Sequence, residues 1–547
     1  MELRQQPMAR HRADVLTPFR TPIHNNQILI TMLHILTNLK KHFTSDPFYL
    51  WSIMILMATN PIATLFYQPE WLDTAISLAL TYCCACLFTL LFSAMGCIGT
   101  IMKYLSLMLV ASYDILVIIC FTMFKTNIDA TIIETLLETN INEIKEFLSV
   151  FIPWWLIICF VLFLTILFYI YHRCHNQRHI TMGNRQSTFH LYLLVYVVTV
   201  LLIGHRVLIK KIQNMESWTI PFENVAINLK EYEPQQVHLS ETREQHPEKI
   251  VLIIGESHSK GHCSIYGYDK PTNPHIQQLI NDSLLYAFNQ VTSPATGTVQ
   301  SFKFILNTRH IKDILTDWYL FPSIITILKS AGYHTCWYSN QDEVGLHDNL
   351  ASSFAHICDH YYFNTKKTRL DGDLIGLHKL TKGKEFIIYH LMGQHVDFSK
   401  RYPESFRFFK SSNYDKAKYT NQEVVAHYDN ACLYNDYVVS QLMNTFKEED
   451  AIVIYFPDHG LDVYQTSPKY FGHAINHKKK SRKIGLQIPC FIYLSPLFKD
   501  RHKDLTAQTQ CSLDRKYCTA DMTFTLMYVA GYDFAQHPTD TLYSLIK

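Results

Sequence analysis

The 547-residue chain carries almost no net charge of either sign. Its 49 Lys and Arg stand against 47 Asp and Glu, leaving +2, so no global basic field points to nucleic acid. It also has no internal repeat and no low-complexity tract. No apolar run is short and closed by a small-residue cleavage site, so nothing reads as a removed signal peptide. What is present is unevenly spread. Apolar residues make up 48 % of the whole, but the long apolar runs fall in the first ~210 residues, and the rest reads as a soluble α/β protein. A chain of this length divides into two or more parts.

Five stretches approach the ~20 apolar residues that a bilayer crossing needs: 48–68, 74–101, 104–124, 148–171 and 190–209. The leading segment holds Arg4, Arg10, Arg12, Arg20, Lys40 and Lys41, and the loop 172–189 holds Arg173, Arg178 and Arg185. The loops 69–73 and 125–147 hold only Lys125 and Lys145. By the positive-inside rule the N-terminus is cytoplasmic, and five crossings place everything after Lys210 outside. Asp114, in mid-span, is expected to be a packed structural group rather than part of a site.

Seven of the fourteen cysteines precede residue 210, mostly in the apolar runs, and seven follow: Cys263, Cys336, Cys358, Cys432, Cys490, Cys511 and Cys518. In an oxidising compartment some of the latter should pair, and Cys511–Cys518 would close one short loop. Seven is odd, so at least one thiol is left over.

The expected architecture is therefore an α-helical membrane domain of five transmembrane helices at 48–209, preceded by a cytoplasmic segment at 1–47. A charged connector at 210–247 leads to an outer α/β domain at 248–547. There, short apolar runs alternate with helical patterns: "KIVLIIGE", "YHTCWYSN", "FIIYHLMGQH", "AIVIYFPDHG" and "PCFIYLSP". Continuous apolar strands alternating with helices imply a central, largely parallel sheet covered on both faces. Such sheets bind ligands beyond the carboxyl ends of their strands. Three of the five runs end in metal-type ligands: Glu256, His395, and Asp458 with His459.

Carboxylate and imidazole suit zinc or manganese. Taken alone, "FPDHG" could equally be a turn whose Asp caps a helix, and Glu256 at a second strand end favours the metal. The segment "VTSPATGTVQSFKFIL" offers Thr296, Thr298 and Ser301 ahead of a helix, whose N-terminus favours phosphate. A hydroxyl beside a metal ionises more readily and can attack phosphorus. Ser and Thr also cap helices, and the two uses are compatible. Spacing alone leaves His395 and His473 open.

With these residues assembled, the sequence resembles the membrane-anchored phosphoethanolamine transferases that modify lipopolysaccharide, among them the lipid A enzymes of polymyxin resistance. The motif "GESHSKGHCSIYGYDKPTNP" carries the likeness, with Gly-Glu-Ser followed by Tyr-Gly-Tyr and Thr-x-Pro. The resemblance implies a sulfatase/alkaline-phosphatase-like domain. It gives Glu256, Thr298, Asp458 and His459 as ligands of one or more zinc ions, with Thr298 as nucleophile. His395 and His473 would contact substrate or a second zinc. Thr139 and Glu143 match a helix facing the lipid, with Thr135 one turn earlier. The implied reaction moves phosphoethanolamine from phosphatidylethanolamine to lipopolysaccharide, on a core sugar or a lipid A phosphate, through a phospho-threonine. The implied setting is a monomer in a bacterial inner membrane, multi-pass, among membrane lipids, with the catalytic domain in the periplasm. Pro294, Phe304, Leu461, Gln341 and Gly345 depart from the lipid A enzymes and favour another acceptor, core sugar included. The rivals are a phosphoglycerol transferase, against which "YGYDKPTNP" argues, and a non-enzymatic lipid-binding scaffold. A sulfatase proper needs Cys/Ser-x-Pro-x-Arg, which "SPATG" does not fit.

Overall fold

The computed structural model describes residues 47–67 and 71–120, isolated positions between 158 and 169, and most of 237–546. Two compact units result, one built on the N-terminal helices and one on the C-terminal domain.

In the first unit, α1 (Pro47–Tyr67), α2 (Trp71–Ala94) and α3 (Gly96–Ile119) occupy the first three apolar stretches. Tyr49, Leu50, Ile53, Cys86, Phe92, Leu107 and Ala111 bury one another, while Leu87, Leu91, Ile98, Ile101 and Leu109 stay exposed. Among the described residues, two segments are long and apolar enough to cross a membrane, Thr74–Ala94 and Gly96–Ile118. The expected boundaries 74–101 and 104–124 need correction. The second helix stops at Ala94, and Gly96 starts the next with φ +58, a left-handed turn glycine adopts at little cost. Asp114 is buried in α3, and its carboxylate oxygens are without a hydrogen-bond partner of good geometry among the described residues. The stretch 190–209, most of 148–171, and Thr135, Thr139 and Glu143 lie outside the described residues.

The second unit is organised by a seven-stranded sheet. Its strands are β1 (Lys249–Gly255), β2 (Leu285–Ala287), β3 (His334–Ser339), β4 (His360–Phe363), β5 (Glu385–His390), β6 (Ala451–Pro457) and β7 (Phe491–Leu494). Their spatial order is β2-β7-β6-β1-β5-β3-β4. The five apolar runs read from sequence are β1, β3, β5, β6 and β7. Pairing is parallel from β6 through β4, and β7 runs antiparallel to both β6 and β2. The sheet is thus largely parallel, as expected, with one reversed strand.

Burial explains the continuous apolar pattern. Every residue of β1, β5 and β6 is buried. Ile250, Leu252 and Ile254 enter one core, and Val251 and Ile253 enter the core on the other face. At about 1.5–3 kcal/mol for each large apolar side chain fully removed from water, this double burial fixes β1 at the centre of the sheet. Two helices, α4 (Thr298–Ile305) and α5 (Gln422–Asn444), bring side chains to the segment that leaves β1. Residues 239–241, inside the 210–247 segment, pair antiparallel with 532–534 and so belong to this unit.

The described outer cysteines, all seven, are free. The expected Cys511–Cys518 bridge is absent: Cys511 closes the helix Lys503–Cys511, and Cys518 lies on a strand paired with Val291–Thr292.

Candidate metal and nucleophile centre

The centre follows from strand order. β6, β1 and β5 are adjacent and parallel, so their carboxyl ends share one edge. Gly255 pairs with Pro457, so the next residues, Glu256 and Asp458, emerge side by side. The Asp458 N–H donates to the Gly255 carbonyl at 3.0 Å, extending the ladder by one step.

After Glu256 the chain turns through Ser257 at φ 56, a conformation unusual for a residue with a side chain. The turn lets the Ser257 hydroxyl donate to Glu256 Oε1 at 2.6 Å, and its N–H to Asp458 Oδ1 at 3.2 Å. The His459 N–H also donates to Asp458 Oδ1, at 2.7 Å. The other oxygen, Asp458 Oδ2, is buried without a hydrogen-bond partner among the described residues.

His459 supplies a third ligand atom. Its Nδ1 lies 2.9 Å from the Gly460 carbonyl. A carbonyl can only accept, so Nδ1 carries the proton and Nε2 presents a lone pair. That Nε2 is 3.4 Å from Glu256 Oε1 and 3.4 Å from Asp458 Oδ2. Burial, reinforced by the neighbouring Asp458 charge, pushes the Glu256 carboxyl up to about 7, although His459 and His395 oppose the rise. Burial likewise pushes Asp458 up to about 6. Three buried groups thus turn electron pairs toward one point, with ligand atoms within 4.8 Å of one another. An orphaned carboxylate oxygen beside an imidazole lone pair suits a cation, and this donor set fits zinc.

The hydroxyl comes from the other segment. Gly297 is the N-cap of α4 and Thr298 its first residue. Thr298 Oγ1 donates to Glu256 Oε2 at 3.1 Å and lies 3.3 Å from His459 Nε2. Of the three hydroxyls in that stretch, this one meets the ligand group. Ser301 instead reaches back to the Ala295 carbonyl at 3.5 Å. Thr298 opens α4, and the start of a helix is where a phosphoryl oxygen is favoured.

His395 lies beyond β5, close enough to Glu256 and His459 for electrostatic coupling. Burial holds it below the ordinary histidine range, Glu256 opposing and Arg401 reinforcing. Its Nδ1 donates to the Val396 carbonyl at 2.7 Å, so the neutral ring keeps Nε2 as a lone pair. His473 lies outside the described residues.

Several supporting residues have no distinctive signal in the sequence. Asp371 accepts the Met392 and Gly393 N–H groups, both at 2.8 Å, and the Asn340 amide at 2.8 Å. It thereby sets the loop that carries His395. Arg401 grips that loop through the His395 and Val396 carbonyls, both at 2.9 Å. The histidine and tyrosine of "GHCSIYGY" bind structure rather than substrate: His262 and Tyr268 meet the buried Asp429 of α5 at 2.7 and 2.6 Å. Leu461 packs into an apolar cluster with Phe398 and Val463.

A second group of ligand types, Cys336, His378 and Glu385, is gathered at the opposite edge of the sheet. There the Lys249 ammonium is 2.8 Å from Glu385 and also bonds two carbonyls. The cation position is already filled, so this group is an ion pair and not a metal site.

A largely parallel sheet, an Asp-His pair and a glutamate at adjacent strand ends, and a hydroxyl at a helix N-terminus define the alkaline-phosphatase/sulfatase class of α/β fold. Residues 248–532 match the sulfatase family, and the chain belongs to it. Phosphoethanolamine transferase EptC of Escherichia coli O18:K1:H7 is 32 % identical over 304 residues, covering 53 % of this chain and 52 % of that protein. The chain thus spans about half the length of the curated relatives it matches. The zinc-bound periplasmic domain of Escherichia coli EptC is 27 % identical, with a TM-score of 0.52 over 58 % of this chain and 90 % of that one. The integral membrane lipooligosaccharide phosphoethanolamine transferase A of Neisseria meningitidis is 14 % identical, with a TM-score of 0.59 over 91 % and 96 %. It shares the fold.

Proposed function

We propose that this chain transfers phosphoethanolamine from phosphatidylethanolamine to lipopolysaccharide, through a covalent intermediate on Thr298. The observation that carries the reading is the Thr298 hydroxyl, 3.1 Å from Glu256 and 3.3 Å from His459, on the first turn of a helix. The names of the matched relatives point the same way. The motif Gly-Glu-Ser with Tyr-Gly-Tyr and Thr-x-Pro supports it from the sequence.

Glu256, Asp458, His459 and Thr298 are the residues to hold zinc, one ion at least. Bound there, zinc supplies positive charge that favours the ionised threonine and the crowded phosphoryl oxygens. The residues divide the remaining work. Thr298 gives up its proton and its Oγ1 bonds to phosphorus as the bond from phosphorus to the glycerol oxygen breaks. Diacylglycerol leaves, taking a proton. An acceptor oxygen on lipopolysaccharide then bonds to the same phosphorus and frees Thr298. His395, neutral and with Nε2 unprotonated, suits the removal of the acceptor proton. His473 is assigned the partner role, on phosphoryl oxygens or a second zinc.

The setting matches the substrates. Both are amphiphiles, so a multi-pass inner-membrane anchor tethers the periplasmic catalytic domain to the membrane that carries them. The monomer is the proposed unit. The test is mass spectrometry of lipopolysaccharide from cells with and without the protein. The reading predicts phosphoethanolamine in its presence only, and identical spectra would refute it.

A further inference from the structure

Residues 478–483 read Lys-Lys-Lys-Ser-Arg-Lys, five cations in six positions of a chain whose net charge is +2. Such a concentration needs a local reason. The described part forms α6 (Lys479–Leu486). Ser481 and Gly485, four residues apart, turn inward and are buried, while Lys480, Arg482 and Lys483 are exposed. Helix periodicity accounts for that division. The three exposed cations have no ion-pair partner among the described residues.

The position of α6 is what gives the charges meaning. The Gly460 N–H, next to His459, donates to the Gly485 carbonyl at 2.8 Å. The Ser293 N–H, at the start of the segment carrying Thr298, donates to the Leu486 carbonyl at 2.9 Å. The Lys260 N–H, four residues past Glu256, donates to the Gln487 carbonyl at 3.3 Å. A Cβ on Gly485 would fall 2.9 Å from the Thr296 methyl, so glycine lets the helix approach that closely. The end of α6 is therefore held by all three segments that supply the metal and nucleophile centre, and its exposed cations precede Gly485 by two to five residues, within about 3–8 Å along the helix axis.

We infer that Lys480, Arg482 and Lys483 dock the acceptor by its phosphates, so that α6 selects phosphate-bearing lipopolysaccharide and brings its accepting oxygen to Thr298. The inference rests on the proposed transfer reaction and deepens it. Charge complementarity picks the occupant. A trio of exposed cations without an ion-pair partner among the described residues, on a helix anchored to the proposed transfer site, attracts a polyanion from solution and holds it by charge-assisted hydrogen bonds. The donor headgroup is zwitterionic and gains less from such a surface than a multiply phosphorylated sugar does.

The experiment uses the full-length, zinc-loaded chain in detergent with purified lipopolysaccharide, before and after phosphatase treatment. The triple variant K480Q/R482Q/K483Q should raise the acceptor KM at least about tenfold, with a smaller change in kcat. The difference should disappear on the dephosphorylated acceptor. K480R/K483R, which keeps the charge, should retain wild-type KM. The wild-type KM should climb with salt more steeply than that of the triple variant. An unchanged KM overturns the inference, and so does an equal shift on the dephosphorylated acceptor, which would mark a structural role. Loss of binding to anionic phospholipid vesicles without any loss of acceptor affinity would also overturn it, in favour of membrane docking. Direct acceptor binding to Thr298→Ala, with and without the triple change, reads the docking surface even where no transfer occurs. Failure of the reaction and failure of the inference are then separate results.

Discussion

Gly393 lies against the backbone of Glu256. A Cβ built on Gly393 would fall 2.7 Å from both the N and the O of Glu256. Gly393 also has φ +49, and the next residue, Gln394, donates its N–H to the Glu256 carbonyl at 2.9 Å. The loop after β5 thus rests on the residue that heads the metal group. Gly393→Ala should cost about 2 kcal/mol or more, from the left-handed backbone together with the clash. It should weaken zinc binding more than a remote substitution of equal stability cost. Calorimetric zinc titration beside thermal unfolding checks this, and unchanged zinc affinity at reduced Tm would contradict it.

Asp371 touches none of the ligand group, yet its carboxylate accepts from Met392, Gly393 and Asn340. Asp371→Asn presents N–H groups to N–H groups and should cost about 1–3 kcal/mol. Because the loop positions His395, kcat should fall while donor KM changes less. A kcat equal to wild type at a temperature where the variant is fully folded would remove Asp371 from this role.

Lys249 and Glu385 begin adjacent strands as register partners, and their charges meet at 2.8 Å where both side chains are buried. Burial alone would raise the Glu385 carboxyl, but the nearby His378 and the contacts from Lys249 and Thr381 outweigh it and hold the group at about 2. A depressed folded value means that the stabilisation is present above the unfolded value of ~4.3 and is lost as pH falls through the folded one. Wild-type stability from this pair should therefore persist at pH 5 and decline between about pH 4 and 2. Lys249→Met strands the carboxylate and should cost about 3–5 kcal/mol at neutral pH, a loss that shrinks as acid protonates Glu385. Denaturant midpoints across pH 2–7 measure it, and a pH-independent difference would contradict the assignment.

The metal group predicts opposite effects of one substitution on two states. Asp458 brings a buried charge next to Glu256, with Oδ2 unpartnered among the described residues. Asp458→Asn should raise the Tm of the chelator-treated protein, because a repulsion is relieved, and should reduce the stabilisation gained on adding zinc. In the wild type, zinc at a hundredfold over its dissociation constant should add about 2.7 kcal/mol. Equal zinc-induced shifts in both proteins would show that Asp458 is not a ligand.

The sheet is legible in the sequence because β1, β3, β5, β6 and β7 are apolar runs bounded by breakers, and parallel strands buried on both faces read that way. Glu256 and Asp458-His459 stand out as polar residues at the ends of such runs. Asp371, Arg401 and Gly393 are not legible in the same way. Their roles depend on loops brought together by the crossovers, and nothing local marks an aspartate in "RLDGDL" as the acceptor for N–H groups some twenty residues later. The helix break at Met95–Gly96 is hidden because apolar residues continue across it, so the sequence reading places the break later, between 101 and 104. The expected Cys511–Cys518 bridge rests on loop length alone, whereas the fold assigns the two residues to different elements.

The most direct test of the central claim is peptide mass analysis of the zinc-loaded, full-length chain after incubation with phosphatidylethanolamine and no acceptor. The account predicts phosphoethanolamine on the peptide that carries Thr298 and its absence from Thr298→Ala. Donor turnover with no adduct on that peptide, or an adduct that survives the alanine substitution, would contradict it.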